Sequence, residues 1–302
     1  MKKKAIVISV IVCTYNRVSL LKNCLRSLEK QTADKRMYEV IVVDNNSNDN
    51  TDETIKDFTK SRLSIQLVKE KNQGLSFARN RGWQEAKGKY VAYIDDDAFT
   101  DHDWIAEIIS FTKKYPAVGV FGGPYKRYFL TPPPLWFPSG YGTLNLGKKV
   151  KQIHPPKEWL TGTNMIIQKN KFKKYGGFDT RFGMREKNTI YGEETDLIFR
   201  LHKSGEPIYY VPMIRVNHLV AGYKYSMLWL LKSDFFHSYS SSQFIRMKFN
   251  LMKGILFFLW SLLVFPFCLF NTKAKLLKTR SYYSLSHIFL ALGQIAGSVY
   301  RL

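Results

Sequence analysis

The sequence predicts an α/β fold on a mostly parallel sheet flanked by helices, with a hydrophobic helical appendage at the C-terminal end. Three observations predict it. Over the first hundred residues short apolar runs alternate with helix-period patterns, as in domains built from successive βα units. Polar clusters follow three of the apolar runs, at Thr14 to Arg17, Asp44 to Asp52 and Asp95 to Asp97, and ligands of such sheets bind beyond the carboxyl ends of the strands. From Gly254 to Phe270 the chain turns almost wholly apolar.

Residues 5–13 read as the first strand. Met1-Lys2-Lys3-Lys4 before it resembles the start of a signal peptide, but no small-residue cleavage site precedes Thr14, which favours a buried strand. Leu20, Leu21, Cys24, Leu25 and Leu28 then recur at helical spacing. Strands are expected at 38–44, 63–69 and 89–95, with helices marked by Ile55 and Phe58 and by Leu75, Ala78 and Trp83. A further helix begins near Asp101. Thr131-Pro132-Pro133-Pro134 through Gly140 excludes helix and central strand, leaving a loop or an extended rim. Beyond it, 159–167 reads as a strand, 193–203 as a helix with Leu197, Ile198 and Leu201 on its apolar face, and 208–216 as a final strand.

The C-terminal region pairs the apolar segment with a softer one, Tyr282 to Tyr300, across a basic turn from Lys273 to Arg280. A membrane-crossing helix needs about 20 apolar residues, so the first segment is borderline and the second too polar. A single crossing would also put the basic turn outside, against the positive-inside tendency. An interfacial or re-entrant helical pair, its basic turn facing anionic headgroups, avoids that conflict. A soluble helical subdomain with a basic loop is the alternative.

The formal charge is +22 over 302 residues, which points to anionic partners. No RNP, zinc-finger or zipper signature is present, so nucleic acid is not the favoured partner and a membrane surface, through residues 254–300, fits better. Cys13, Cys24 and Cys268 have no C-x-x-C spacing and lie in apolar stretches. They read as buried thiols of a reducing compartment, and a disulfide framework is excluded.

Chemistry concentrates at Tyr90 to Asp97, an apolar run that stops in three consecutive carboxylates. Alternation directs Asp95 and Asp97 to one side and Asp96 to the other. Like charges held so close are relieved by a divalent cation such as Mg²⁺ or Mn²⁺. A solvated acidic turn capping the following helix is the other reading.

Val10 to Arg17 (VIVCTYNR), VVDNNSNDNT at 42–51, NQGLSFARNRG at 72–82 and IDDD at 94–97 together resemble the nucleotide-sugar half of the family 2 glycosyltransferases. WLTGTNM at 159–165, GGFD at 176–179 and YGEETDLIFR at 191–200 resemble that family's acceptor-side motifs. The likeness runs over about residues 5–220. It implies a GT-A, Rossmann-like fold, a nucleotide-sugar donor and inversion at the anomeric carbon. It also implies a nucleotide site at Thr14, Tyr15, Asn16 and Arg17, with Tyr15 stacking on the base, and at Asp44, Asn72, Gly74, Arg79, Asp95 and Asp96. Asp44 would accept the imino N–H of uracil or thymine, and Arg79 would face the nucleotide or pair with a carboxylate. Asp97 would ligate the cation with Asp95, and His218 is the third candidate ligand, with a structural histidine as its alternative. Glu194 matches the second acid of the family's Glu-Asp pair, the general base. Because the pair is Glu-Glu here, Glu193 and Asp196 stay open. Gly162, Thr163 and Asn164 would line the acceptor side.

These readings divide the chain into a glycosyltransferase domain at 1–222, with nucleotide-sugar binding at 5–100 and acceptor binding at 101–222, and a membrane-associating helical region at 223–302. The expected activity is sugar transfer from a UDP-sugar to a glycan or lipid-linked acceptor at the cytoplasmic face of the cell membrane. A nucleotidyltransferase would carry a glycine-rich phosphate loop after the first strand, and none is there. A catalytically inactive scaffold of the same fold is the remaining alternative.

Overall fold

The computed structural model describes residues 5–60, 63–185, 190–244, 255–263 and 277–299. The chain forms two compact units, one of Met1–Tyr128, Gly142–Thr180 and Glu193–Leu219, the other of Phe129–Tyr141, Arg181–Gly192 and Val220–Leu302. The last passage between the units falls at 219/220, where the sequence predicts a boundary at 222. The second unit is not a contiguous tail, however, because it also takes in 129–141 and 181–192.

The first unit holds eleven strands, eight of them in one large sheet. Four are parallel neighbours: β1 (Ile8–Thr14), β2 (Tyr38–Asp44), β3 (Ile65–Lys69) and β4 (Tyr90–Asp95), in the order β3-β2-β1-β4. Buried on both faces, β1 is apolar almost throughout, as strands of covered parallel sheets are. Ile8, Val10 and Val12 pack with Leu21, Leu25 and Leu28 of α1 (Val18–Glu29). Ile11 joins Ala78 of α3 (Leu75–Glu85) on the other face. Helix α2 (Thr51–Thr59) links β2 to β3. Past β4 come β5 (Ala98–Thr100), α4 (Trp104–Lys114), β6 (Val120–Gly122), β7 (Tyr125–Tyr128) and β8 (Lys151–Ile153), then β9 (Met165–Gln168), α5 (Lys169–Tyr175) and α6 (Glu193–Lys203).

The last two strands of this unit are β10 (Ile208–Tyr210) and β11 (Val216–Leu219). The large sheet continues from β4 through β9, β6, β10 and β8, with β9 antiparallel to both β4 and β6. The small sheet has the order β5-β11-β7. The single strand expected at 208–216 is thus two strands in different sheets. Pro212 has no N–H for a ladder, Val211 closes the first strand by donating to Gly122 O at 2.8 Å, and the chain turns before resuming at Val216. The strand expected at 159–167 is also shorter. A 3₁₀ turn at Gly162–Asn164 precedes β9, because Asn164 Nδ2 turns inward to donate to Pro124 O and Ile214 O, each at 2.8 Å.

The second unit gathers α7 (Met227–Phe244), a helical stretch at 255–263 (α8) and α9 (Leu277–Val299). Phe137, from the proline-rich loop, packs there with Leu230, Leu231 and Tyr282. Asp234 of α7 accepts from Tyr282 Oη at 3.1 Å and Ser286 Oγ at 2.7 Å on α9. No described helix is long and apolar enough to cross a membrane. Much of the expected helical pair, with Lys273, Lys275 and Cys268, lies outside the described residues.

Candidate active site

Strands β1, β2 and β4 end level with one another, Cys13 opposite Asp95 and Thr14 opposite Asp44. Asp95 closes β4, and Asp96 and Asp97 form a tight turn into β5. Strand β11 then pairs antiparallel with β5, setting His218 opposite Ala98, while Leu219 N donates to Asp97 O at 3.0 Å. His218 Nε2 consequently lies 3.0 Å from Asp97 Oδ1 and 3.7 Å from Asp95 Oδ2. One ligand atom from each of Asp95, Asp97 and His218 falls within 4.8 Å of the others. Two carboxylates and an imidazole are a suitable donor set for a divalent cation.

Asp96 lies against Thr14 and Arg17. Its Oδ2 accepts from Thr14 Oγ1 at 2.8 Å, and Arg17 Nη1 lies 3.3 Å from its Oδ1 and 3.4 Å from Asp97 Oδ2. Burial pushes the Asp96 carboxyl up to about 7, with Arg17 opposing and Asp97 adding to the rise. Arg17 thus neutralises part of a dense acidic centre from its open side.

The second acidic centre is built around Arg79, whose residue is 4% exposed. Its Nη1 lies 2.5 Å from Glu193 Oε1 and 3.8 Å from Glu194 Oε2, and its Nη2 lies 3.3 Å from Asp95 Oδ1. Of the two roles left open for Arg79, the structure gives pairing with carboxylates. The guanidinium also stands over Phe178, 5.6 Å from the ring centroid, and passes so close to Gly162 that a Cβ there would lie 2.7 Å from Cζ. Burial and then Glu194 push the Glu193 carboxyl up to about 8, against the pull of Arg79. Glu194 is more open, its side chain 23% exposed. Asp196 is tied instead to Arg200, 2.8 Å away.

Behind β2 and β3 the loops are laced together. Asp44 is fully buried, its Oδ1 accepting from Ser47 N at 2.9 Å and its Oδ2 paired with Lys69 Nζ at 2.6 Å. Both oxygens of the expected base-reading carboxylate are therefore engaged within the protein. Asn16, in the left-handed region at φ 52°, accepts from Asn48 N at 2.7 Å. Tyr15 beside it is half-buried. Asn45 Nδ2 donates to Asn72 O at 2.7 Å, and its Oδ1 accepts from Gly74 N at 2.8 Å. Gly74 has φ 140°, which a side chain would strain.

Of the acceptor candidates, Asn164 departs from expectation. It is fully buried, with Oδ1 accepting from Trp104 Nε1 at 3.0 Å and Nδ2 fixed on two carbonyls, so it knits the core rather than facing a ligand. Gly162 makes room for Arg79, and Thr163 is buried with its hydroxyl unbonded among the described residues. Sequence reasoning missed Lys69, Asn45 and Tyr125. Lys69 was findable, since it stands opposite Asp44 once β2 and β3 are paired. Tyr125, edge-on to His218 with centroids 5.7 Å apart, sits on a short strand without an apolar run.

The Glycosyl transferase family 2 signature matches residues 9–178, more than half of the chain. This chain belongs to the family 2 glycosyltransferases. A glucosyl-dolichyl phosphate glucuronosyltransferase of Haloferax volcanii is 27% identical over 242 residues, 77% of this glycosyltransferase and 75% of the relative. Three further relatives are matched over 17% to 38% of their own lengths. In fold the enzyme is similar to S. aureus TarS residues 1–349 in complex with UDP-GlcNAc. The TM-score is 0.59 at 16% identity, covering 97% of this chain and 91% of that one. It is also similar to the mannosyltransferase PcManGT of Pyrobaculum calidifontis, in complex with GDP-Man and Mn²⁺. There the TM-score is 0.58 at 17% identity, covering 99% and 78%. These likenesses establish a GT-A fold.

Proposed function

We propose that this glycosyltransferase inverts configuration while moving a sugar from a UDP-sugar to a hydroxyl of a glycan or lipid-linked acceptor, in cell-surface polysaccharide synthesis. One observation carries the reading: Arg79 joins the Asp95, Asp97 and His218 cluster to Glu194, through contacts of 3.3 Å to Asp95 and 3.8 Å to Glu194. A site for the leaving diphosphate and a candidate base therefore flank one space.

Asp95, Asp97 and His218 would hold Mn²⁺ or Mg²⁺, which when bound supplies Lewis-acid neutralisation of the diphosphate. Arg17, at the mouth of the same cluster, adds a cation facing phosphate oxygens. Tyr15 offers its ring to the base, and Asp44 reads the imino N–H once Lys69 yields its oxygen. Thr14, Asn16, Asn72 and Gly74 shape the nucleotide loops. Glu194 takes the acceptor hydroxyl proton. The freed oxygen attacks the anomeric carbon from the face opposite the diphosphate, the C1–O bond breaks, and its electron pair leaves with the phosphate. Glu193, clamped on Arg79, orients that centre, and Asp196 is held by Arg200. Gly162 and Thr163 lie on the acceptor side.

Membrane seating is supported by α8, where Leu256 is 58%, Trp260 49% and Leu263 72% exposed, and by the +22 charge. Residues 254–300 would lie on the cytoplasmic face of the cell membrane, apolar side chains in the interface and basic ones at anionic headgroups. The lipid-linked substrate in the name of the Haloferax relative favours the same location. Calorimetric titration with UDP and Mn²⁺, alone and together, tests the donor site. UDP binding that strengthens with Mn²⁺ and is lost in Asp97→Ala is the expected result. Metal-dependent UDP binding without turnover of any UDP-sugar would favour the scaffold reading.

A further inference from the structure

Tyr125 opens β7, which runs parallel to β11 with Val216 opposite Tyr125 and His218 opposite Arg127. Side chains alternate along a strand, so Tyr125 and His218 share a face of the small sheet. The phenol ring meets the imidazole edge-on, at 87° and 5.7 Å between centroids. Burial pushes its hydroxyl pKa up, and the charges of Glu194 and Asp95 push it further. The ring thus adjoins one acidic centre and stands in the field of the other, while remaining partly open to solvent.

In the reaction argued above, the anomeric carbon must lie between the diphosphate at the histidine cluster and the acceptor oxygen at Glu194. The sugar ring fills that gap. A phenol both donates and accepts a hydrogen bond from a rigid ring, which suits it to a pyranose hydroxyl. We propose that Tyr125 contacts the transferring sugar, hydrogen-bonding one of its hydroxyls and so helping to select which UDP-sugar is used. The inference rests on the donor-site reading of the preceding subsection.

The test has two arms on the full chain. Wild type is first assayed with UDP-glucose, UDP-galactose, UDP-GlcNAc and UDP-glucuronate, and its UDP affinity is measured with Mn²⁺. Tyr125→Phe, which keeps the ring on His218, is then compared on both readouts. The expected result is a loss of about tenfold in kcat/KM for the preferred sugar, the worth of one hydrogen bond, with UDP affinity within about twofold of wild type. Unchanged kcat/KM for every sugar would overturn the proposal. A parallel loss of UDP affinity would overturn it too, by assigning the hydroxyl to the nucleotide or metal. Wild type that neither binds UDP nor turns over any of the four sugars would overturn the donor-site reading, and this inference with it.

Discussion

Gly162→Ala adds a single methyl group beside the buried guanidinium of Arg79. Its Cβ would lie 2.7 Å from both Cζ and Nη1 of Arg79, where nonbonded carbon contacts settle at about 3.5–4.0 Å. An exposed arginine would swing aside at little cost. This one is 4% exposed and held by Glu193 at 2.5 Å and Asp95 at 3.3 Å, so a displacement of roughly 1 Å stretches both hydrogen bonds. A charge-assisted hydrogen bond contributes about 1.5–3 kcal/mol, and breaking a buried pair outright costs about 3–5 kcal/mol. The expected destabilisation is about 2–4 kcal/mol. For a domain of this size that lowers Tm by roughly 5–15 °C, measurable by calorimetry or by urea titration with an unchanged m-value. If the methyl acts through the guanidinium, the effect shrinks when Arg79 is already replaced by Met, a coupling that a double-mutant cycle reads directly. A Gly162→Ala protein melting within about 1 °C of wild type would refute the claim that Arg79 is pinned.

Glu194→Gln should cut transfer by roughly 10²-fold or more with UDP binding intact, as measured by steady-state turnover beside calorimetry; unchanged turnover would move the base elsewhere. His218→Ala should weaken Mn²⁺ binding by about tenfold or more, the loss of one ligand, and a chelator should silence wild-type turnover reversibly. Asn164→Ala should cost about 2–4 kcal/mol in denaturant titration, since it strands Trp104 Nε1 and two carbonyls, and a near-neutral effect would contradict its core role. Glu193, raised to about 8, binds more protons folded than unfolded between about pH 4.3 and 8. Its contribution is complete below that window and is lost as pH rises through it, so the Tm of Glu193→Gln relative to wild type should climb from pH 5 to 8.5. A relative Tm that stays flat across that range would mean that Arg79 keeps Glu193 ionised.

Three of the four parallel strands, β1, β2 and β4, were legible because burial on both faces leaves a long apolar run, as in Val10 to Cys13 or Val40 to Val43. The acidic turn was legible because three carboxylates ending such a run have few bland explanations. His218 could be nominated but not located, since it meets Asp97 only through the pairing of β5 with β11, strands more than a hundred residues apart. Local pattern carries no register at that range. Asn164 shows the opposite failure, a residue whose motif fits a ligand-facing role and whose side chain is wholly engaged by Trp104, Pro124 and Ile214. Asp44 was correctly set at a strand end, but its partner Lys69 needed the neighbouring strand to be placed first.

The chain passes between its two units five times, at 128/129, 141/142, 180/181, 192/193 and 219/220. Each passage is a peptide bond, so the catalytic unit cannot be cut free as one continuous piece of gene. A chain stopped at 222 would keep Trp136 and Phe137 yet discard Leu230, Leu231 and Tyr282, the side chains that cover them, and would present bare aromatic rings to water. Residues late in the chain then act as an internal chaperone for its middle. They leave the ribosome only after the rings they shelter have already waited in solvent.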